Sequence, residues 1–210
     1  ENYPEAFNKQ FIPDNSELWK LENYEDFLAK RRELLAQAVN DFLESFDDPG
    51  RDGGDGTELT NLIDAGENHR IEFKETMLYD VHRDQPNTDL RAEAVKEICS
   101  FANSEGGTLI IGVEDKDKEV RGIDRDLKLM QDGKDDFELQ LNQEIRDRLG
   151  EHFAATYTQL SFEELNGETV CIVSVEQSPK PIYFDGDDFI VRIGSSATSL
   201  SIQDANQYIA

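Results

Sequence analysis

Three acids are the residues of this chain most able to act together: Glu67 and Glu72, five positions apart in GENHRIEFK, and Asp115, which follows the apolar run TLIIGV. A spacing of five puts two side chains on different faces of any regular helix or strand, so Glu67 meets Glu72 only from the turn that enters the strand. Asp115 joins them if its strand lies beside HRIEFKE. Three carboxylates on one rim raise one another's pKa unless Lys74 or a divalent cation neutralises them. Oxygen ligands without thiols point to Mg²⁺ or Mn²⁺, which can hold a phosphate and activate water. The competing reading is a solvated acidic surface, because 46 acids among 210 residues create many accidental trios.

The remaining reactive residues suggest less. His69, His82 and His152 fall before a strand, in a loop and after a helix end, and read as surface histidines. Cys99 and Cys171 lie in apolar periodic segments without Cys-x-x-Cys or Cys/His spacing, which gives two buried free thiols in a reducing cytoplasm and no zinc site. No Walker-type phosphate loop is present, and Gly106-Gly107 reads as a helix stop. Ser195 and Ser196, after Gly194, offer hydroxyls and amides to a phosphate or simply make a turn.

Forty-six acids against 21 bases give a formal charge of −25, spread over every segment. That pattern fits a surface adapted to a salty cytosol, where a Debye length of about 3 Å in molar salt lets so acidic a protein approach a polyanion. An acidic patch for a basic partner is the lesser reading. No stretch reaches the roughly 18 consecutive apolar residues of a membrane span, and no basic-then-apolar leader opens the chain. The expectation is a soluble cytoplasmic protein. It begins at Glu1 without an initiator methionine and reads as part of a longer chain.

These residues must be positioned by an α+β domain with a mixed, mainly antiparallel sheet and flanking helices, over residues 57–210. Residues 1–46 read as a helical segment, the tail of a larger upstream domain, with an amphipathic helix from Asn23 to Phe46. Residues 47–56, with Pro49 and four glycines, read as a linker. After a short helix, HRIEFKE alternates as a half-buried strand with its charges on one face. MLYDVHRDQPNTD reads as a loop, and Thr88 or Asp89 caps a helix through Ala102. TLIIGV is a central strand, apolar on both faces, with EVRGI as a hairpin partner across the EDKDK turn. A helix spans 135–150. Hairpins follow at Asn166-Gly167 and at Asp185-Gly186 (PIYF with DFIVRIG), and Ser201 caps a last short helix.

Taken in order, GENHRIEFK, FANSEGG, TLIIGVEDKDKEVRGI and FIVRIGSSATSL resemble the Schlafen-type AlbA-like domain, a nucleic-acid-binding family, over roughly residues 60–205. Phe-Ala-Asn-x-x-Gly-Gly, Gly-Val-x-Asp and Arg-x-Gly-Ser carry the likeness with Glu-Phe-Lys. In the Schlafens that cleave RNA, an acidic trio binds metal, and the resemblance maps it onto Glu67, Glu72 and Asp115. It implies a nucleic-acid partner touched by Arg70, Lys74, Arg121, Arg192, Ser195 and Ser196. Animal Schlafens join two such lobes into a clamp, so one lobe implies a homodimer. The stretch FIPDNSELWKLENYEDFLAKRRELLAQAVNDFL resembles the end of GmrSD-type restriction and defence proteins.

Three functions are open at this point. The first is nucleic-acid binding with Mg²⁺- or Mn²⁺-dependent endoribonuclease activity on tRNA-like substrates. The second is a non-catalytic DNA-binding regulator or targeting module of a defence protein, and the third a dimerisation or protein-interaction module.

Overall fold

A computed structural model of the chain describes residues 57–209. The helix expected from Asn23 to Phe46 and the linker at 47–56 lie outside the described residues.

Four strands form the main sheet: β1 (Ile71–Lys74), β4 (Gly107–Ile111), β5 (Thr158–Leu165) and β6 (Glu168–Val175), in the order β1-β4-β6-β5. β1 and β4 are parallel, with Ile71 opposite Thr108 and Lys74 opposite Ile111, and helix α2 (Asp89–Ala102) makes the crossover between them. β4 to β6 and β6 to β5 are antiparallel, so the mixed, mainly antiparallel sheet is as expected. The β5–β6 hairpin turns on Asn166 and Gly167, whose φ angles of 57° and 84° suit the Asn-Gly dipeptide.

TLIIGV is apolar on both faces because helices cover both. Leu109 and Ile111 join Cys171, Val173 and Val175 beneath α2 and α4 (Lys134–Leu149), where Phe137, Leu141 and Ile145 recur at helical spacing. Ile110 and Val113 face the other way, against Phe73, Val170, Ile172 and the Leu59 and Ile63 of α1 (Thr57–Ala65).

Gly106 closes α2: with φ at 73°, it donates its amide to the Phe101 carbonyl at 3.0 Å. Gly107 is required by space. A Cβ there would stand 2.3 Å from the Phe101 ring and 2.7 Å from the Arg70 carbonyl. Gly107→Ala is expected to destabilise the domain by about 1–3 kcal/mol in a urea titration, through overpacking against rigid neighbours.

Several connections differ from expectation. EVRGI makes a single bridge, Val113 to Val120, because Arg121 and Gly122 both bond the Gly112 carbonyl and turn the chain toward β6. Short strands β2 (Tyr79–Asp80) and β3 (Gln85–Pro86) pair within the expected loop. Helix α3 (Asp124–Leu127) places Asp126 in the core, where its carboxylate accepts the Met77 and Leu78 amides at 2.7 and 2.8 Å. A further helix, α5 (Glu151–Tyr157), starts directly after Gly150 and contains His152.

The Asp185-Gly186 hairpin is reduced to one bridge, Phe184 to Asp188. β7 (Ile190–Ile193) pairs instead with β8 (Ser196–Ser199). The cause is Asn103, at the end of α2. Its side-chain amide donates to the Ile182 carbonyl at 2.7 Å and the Ile190 carbonyl at 2.8 Å, and accepts the Ile182 amide at 2.8 Å. This holds the two expected partners apart on either side of one side chain. The last helix, α6 (Ile202–Ile209), is capped by Ser201, which accepts the Asp204 amide at 3.2 Å, as expected.

Candidate functional site

Glu67 stands on the turn between α1 and β1. Asn68 shapes that turn: its side chain donates to the Gly66 carbonyl at 3.0 Å and accepts the Arg70 amide at 2.8 Å. The chain thereby folds back along the outer edge of β1, and Glu67 Oε1 accepts the Phe73 amide at 3.0 Å. A carboxylate thus replaces a neighbouring strand's carbonyl at the sheet edge.

Asp115 leaves the end of β4 exposed to solvent, and its charge acts on the Glu67 carboxyl. Burial, with the fields of Glu72 and Asp115, pushes the Glu67 carboxyl from 4.5 to about 7, against the opposing pull of the Phe73 amide.

Glu72 has a different environment. Alternation along β1 sends Ile71 and Phe73 to the α1 side and Glu72 and Lys74 to the opposite side, as the sequence indicates. That opposite side is not solvent, for α2 and β7 cover it and Glu72 is only 6% exposed. Its Oε1 accepts a hydrogen bond from Lys74 Nζ, and its Oε2 accepts one from Arg192 Nη2 at 2.7 Å.

Arg192 also donates from Nη1 to Glu97 Oε2 at 2.6 Å, and from Nη2 to the Asn68 and Ile71 carbonyls at 3.0 and 3.1 Å. Its guanidinium lies 4.4 Å from the centre of the Phe101 ring. The side chain is 0% exposed. Arg192, expected on a phosphate, is held inside the domain with its donors on protein acceptors. Lys74 Nζ lies 3.7 Å from Glu97 Oε1, and burial opposes its charge. Its bond to Glu72, with the fields of Glu72, Glu97 and Glu67, nevertheless lifts its pKa above the ordinary lysine value.

The other expected contacts are exposed. Arg70 pairs with Glu105 at 2.9 Å, Arg121 with Glu119 at 2.8 Å, and Ser195 and Ser196 form the exposed tip of the β7–β8 hairpin. The three histidines are exposed, and both cysteines are buried and free, with burial pushing the Cys99 thiol up to about 12.

Among the described residues, no group of three or more His, Cys, Asp or Glu side chains is arranged to hold a metal. Two carboxylates suffice for Mg²⁺ when water and phosphate complete its shell, and the Glu67–Asp115 pair fits that demand. Glu72, with both oxygens on cations, does not.

Reading the sequence missed Glu97, Asn103 and Asp126. A signal existed for Glu97, which is three residues after Ala94 and four before Phe101, on the buried face of α2.

The raised Glu67 pKa has a pH consequence. The folded protein keeps a proton that the unfolded chain loses near 4.5, so this stabilisation is complete below that value and lost as pH rises through about 7. Urea midpoints are expected to fall between pH 5 and pH 8. The fall should be shallower in Asp115→Asn, which removes one of the fields acting on Glu67.

No curated protein matches the chain significantly. Among solved structures, the DIP2311 protein of Corynebacterium diphtheriae aligns at 19% identity with a TM-score of 0.50, covering 72% of this chain and 31% of that one. The present chain therefore spans under a third of that relative. The N-terminal domain of a RecG-related protein from Nitrosomonas europaea aligns at 22% identity with a TM-score of 0.41, covering 68% of this chain and 93% of that one. The family described as Schlafen, AlbA_2 matches residues 67–201, more than half of the chain and all of the segment from Glu67 to the α6 cap, and the chain belongs to that family.

Proposed function

We propose that this is a nucleic-acid-binding domain that cleaves structured RNA with the help of Mg²⁺ or Mn²⁺ held by Glu67 and Asp115. The observation carrying this reading is the Glu67–Asp115 pair itself. The β1 edge amide holds Glu67 within the field of Asp115, and positive charge beside the pair would relieve that repulsion. A bound divalent ion would supply that charge, neutralise a phosphate oxygen and lower the pKa of a water. Glu67 is fixed for this task by the Phe73 amide. Arg70, Arg121 and the Ser195–Ser196 tip are the exposed groups left to contact phosphate, and a second copy of the chain would extend the surface to a groove.

Arg70 and Arg121 already pair with acids, so a phosphate must displace Glu105 or Glu119 to reach them. Few phosphates are then neutralised. The log–log dependence of affinity on salt is expected to have a slope near −2, the value for roughly two phosphate contacts, and anisotropy of a labelled RNA across KCl concentrations measures it.

The test of the activity is incubation of end-labelled tRNA with Mn²⁺ in high KCl. Wild type should cleave, and Asp115→Asn and Glu67→Gln should each cleave at least about 100-fold more slowly, the scale of losing a charge-stabilising group. Equal cleavage by all three, or none by any, removes the nuclease. A second reading, binding without cleavage, is favoured by the engagement of Glu72 with cations and is indicated by a mobility shift without product. Absence of any shift at every salt concentration would leave a protein-interaction module.

A further inference from the structure

We propose that Glu72 is a positioning residue, not a cation ligand, and that Glu97, Arg192 and Lys74 close an ion lattice with it that sets the β1 edge carrying Glu67. The inference rests on the cation-site reading above. Within the lattice two acids and two bases alternate: Lys74 bonds Glu72, Glu72 bonds Arg192, Arg192 bonds Glu97, and Glu97 returns to Lys74. Charge balances inside the ring, which lets four ionised groups share a covered space.

The lattice is tied to the site through the backbone. Arg192 holds the carbonyls of Asn68 and Ile71, which bridge across the His69-Arg70 turn directly after Glu67. Removing any member therefore loosens the turn from which Glu67 reaches Asp115. For Glu72 to ligate a divalent ion, it must release Arg192 and place a dication beside a buried guanidinium left with Glu97 as its one carboxylate. Both changes oppose binding. Glu97, on helix α2 and far from Glu72 in sequence, becomes as necessary as Glu72.

The experiment compares wild type, Glu72→Gln, Glu97→Gln and Asp115→Asn by thermal midpoint and by binding of Mn²⁺ alone, read from the free-Mn²⁺ electron paramagnetic resonance signal. A glutamine at 72 or 97 keeps one acceptor but turns an NH₂ toward a cationic partner, so each should lower the midpoint by about 5 °C or more. Glu97→Gln lies at the less buried corner and stays informative if Glu72→Gln does not fold. In the folded variants Mn²⁺ affinity should fall to a similar extent in Glu72→Gln and Glu97→Gln, by about threefold, together with the midpoint. Asp115→Asn should weaken it tenfold or more without lowering the midpoint. Loss of Mn²⁺ binding in Glu72→Gln at an unchanged midpoint would overturn the proposal. If wild type binds no Mn²⁺, the cation-site reading fails, while the midpoints of Glu72→Gln and Glu97→Gln still decide whether the lattice exists.

Discussion

Replacing Arg192 by methionine is expected to cost the domain about 3–5 kcal/mol, the range for breaking a buried ion pair by removing one partner. Methionine keeps contact with the Phe101 ring, but it leaves Glu72 and Glu97 facing each other with only Lys74 between them. It also removes the guanidinium donors on the Asn68 and Ile71 carbonyls, the second of which keeps only the Asn68 amide. Arg192→Lys should recover little, because a point-like ammonium cannot bridge two carboxylates and two carbonyls as the planar fork does. Urea unfolding at pH 7 measures both. A change below about 1 kcal/mol for Arg192→Met would mean the ring carries no net stabilisation.

Asn103→Ala comes next in size, at about 3 kcal/mol or more. Three hydrogen bonds disappear with one side chain, and the Ile182 amide and carbonyl and the Ile190 carbonyl lose a partner in a partly buried place, each at a cost of about 1–3 kcal/mol. The effect should be local as well as global, because Asn103 joins the end of α2 to both flanks of the 182–190 segment, with only the weak thiol contact of Cys99 to the Ile182 carbonyl beside it. Hydrogen exchange at the Ile182 amide is therefore expected to accelerate more than at Leu109 in the central strand. Asn103→Asp separates hydrogen bonding from packing. The shape is kept and the Ile182 amide still finds an acceptor, yet a carboxylate oxygen faces the two carbonyls. Aspartate should be as damaging as alanine. If it is harmless, the amide does not organise the segment.

These two residues also mark where the sequence stops being legible. Elements whose cause is local were readable. β4 is apolar at successive positions because both its faces are covered, the β5–β6 turn needs the left-handed conformations that Asn166 and Gly167 adopt, and Ser201 caps the helix that follows it. The site residues were legible by motif and only partly by physics. Alternation gave the face on which Glu72 lies, but nothing within HRIEFKE says that α2 and β7 will cover that face. Arg192 shares its side of β7 with Ile190, a residue of the main core, and this argued for burial against its charge. Propensity reads arginine as exposed, and only a pair of acids from β1 and α2 makes the interior tolerable. The hairpin at Asp185-Gly186 was expected from a strong dipeptide, and the turn does form, with φ angles of 52° and 89°. Its strands do not pair with each other, because Asn103 binds both flanks.

The division of labour among the three acids is the central claim, and manganese located by anomalous diffraction tests it most directly. Crystals grown at pH 8, above the Glu67 pKa of about 7, and soaked in Mn²⁺ should show one peak bound by Glu67 and Asp115, with Glu72 still on Lys74 and Arg192. A peak coordinated by Glu72, with Arg192 displaced from the interior, would contradict the account, as would no peak at all beside Glu67.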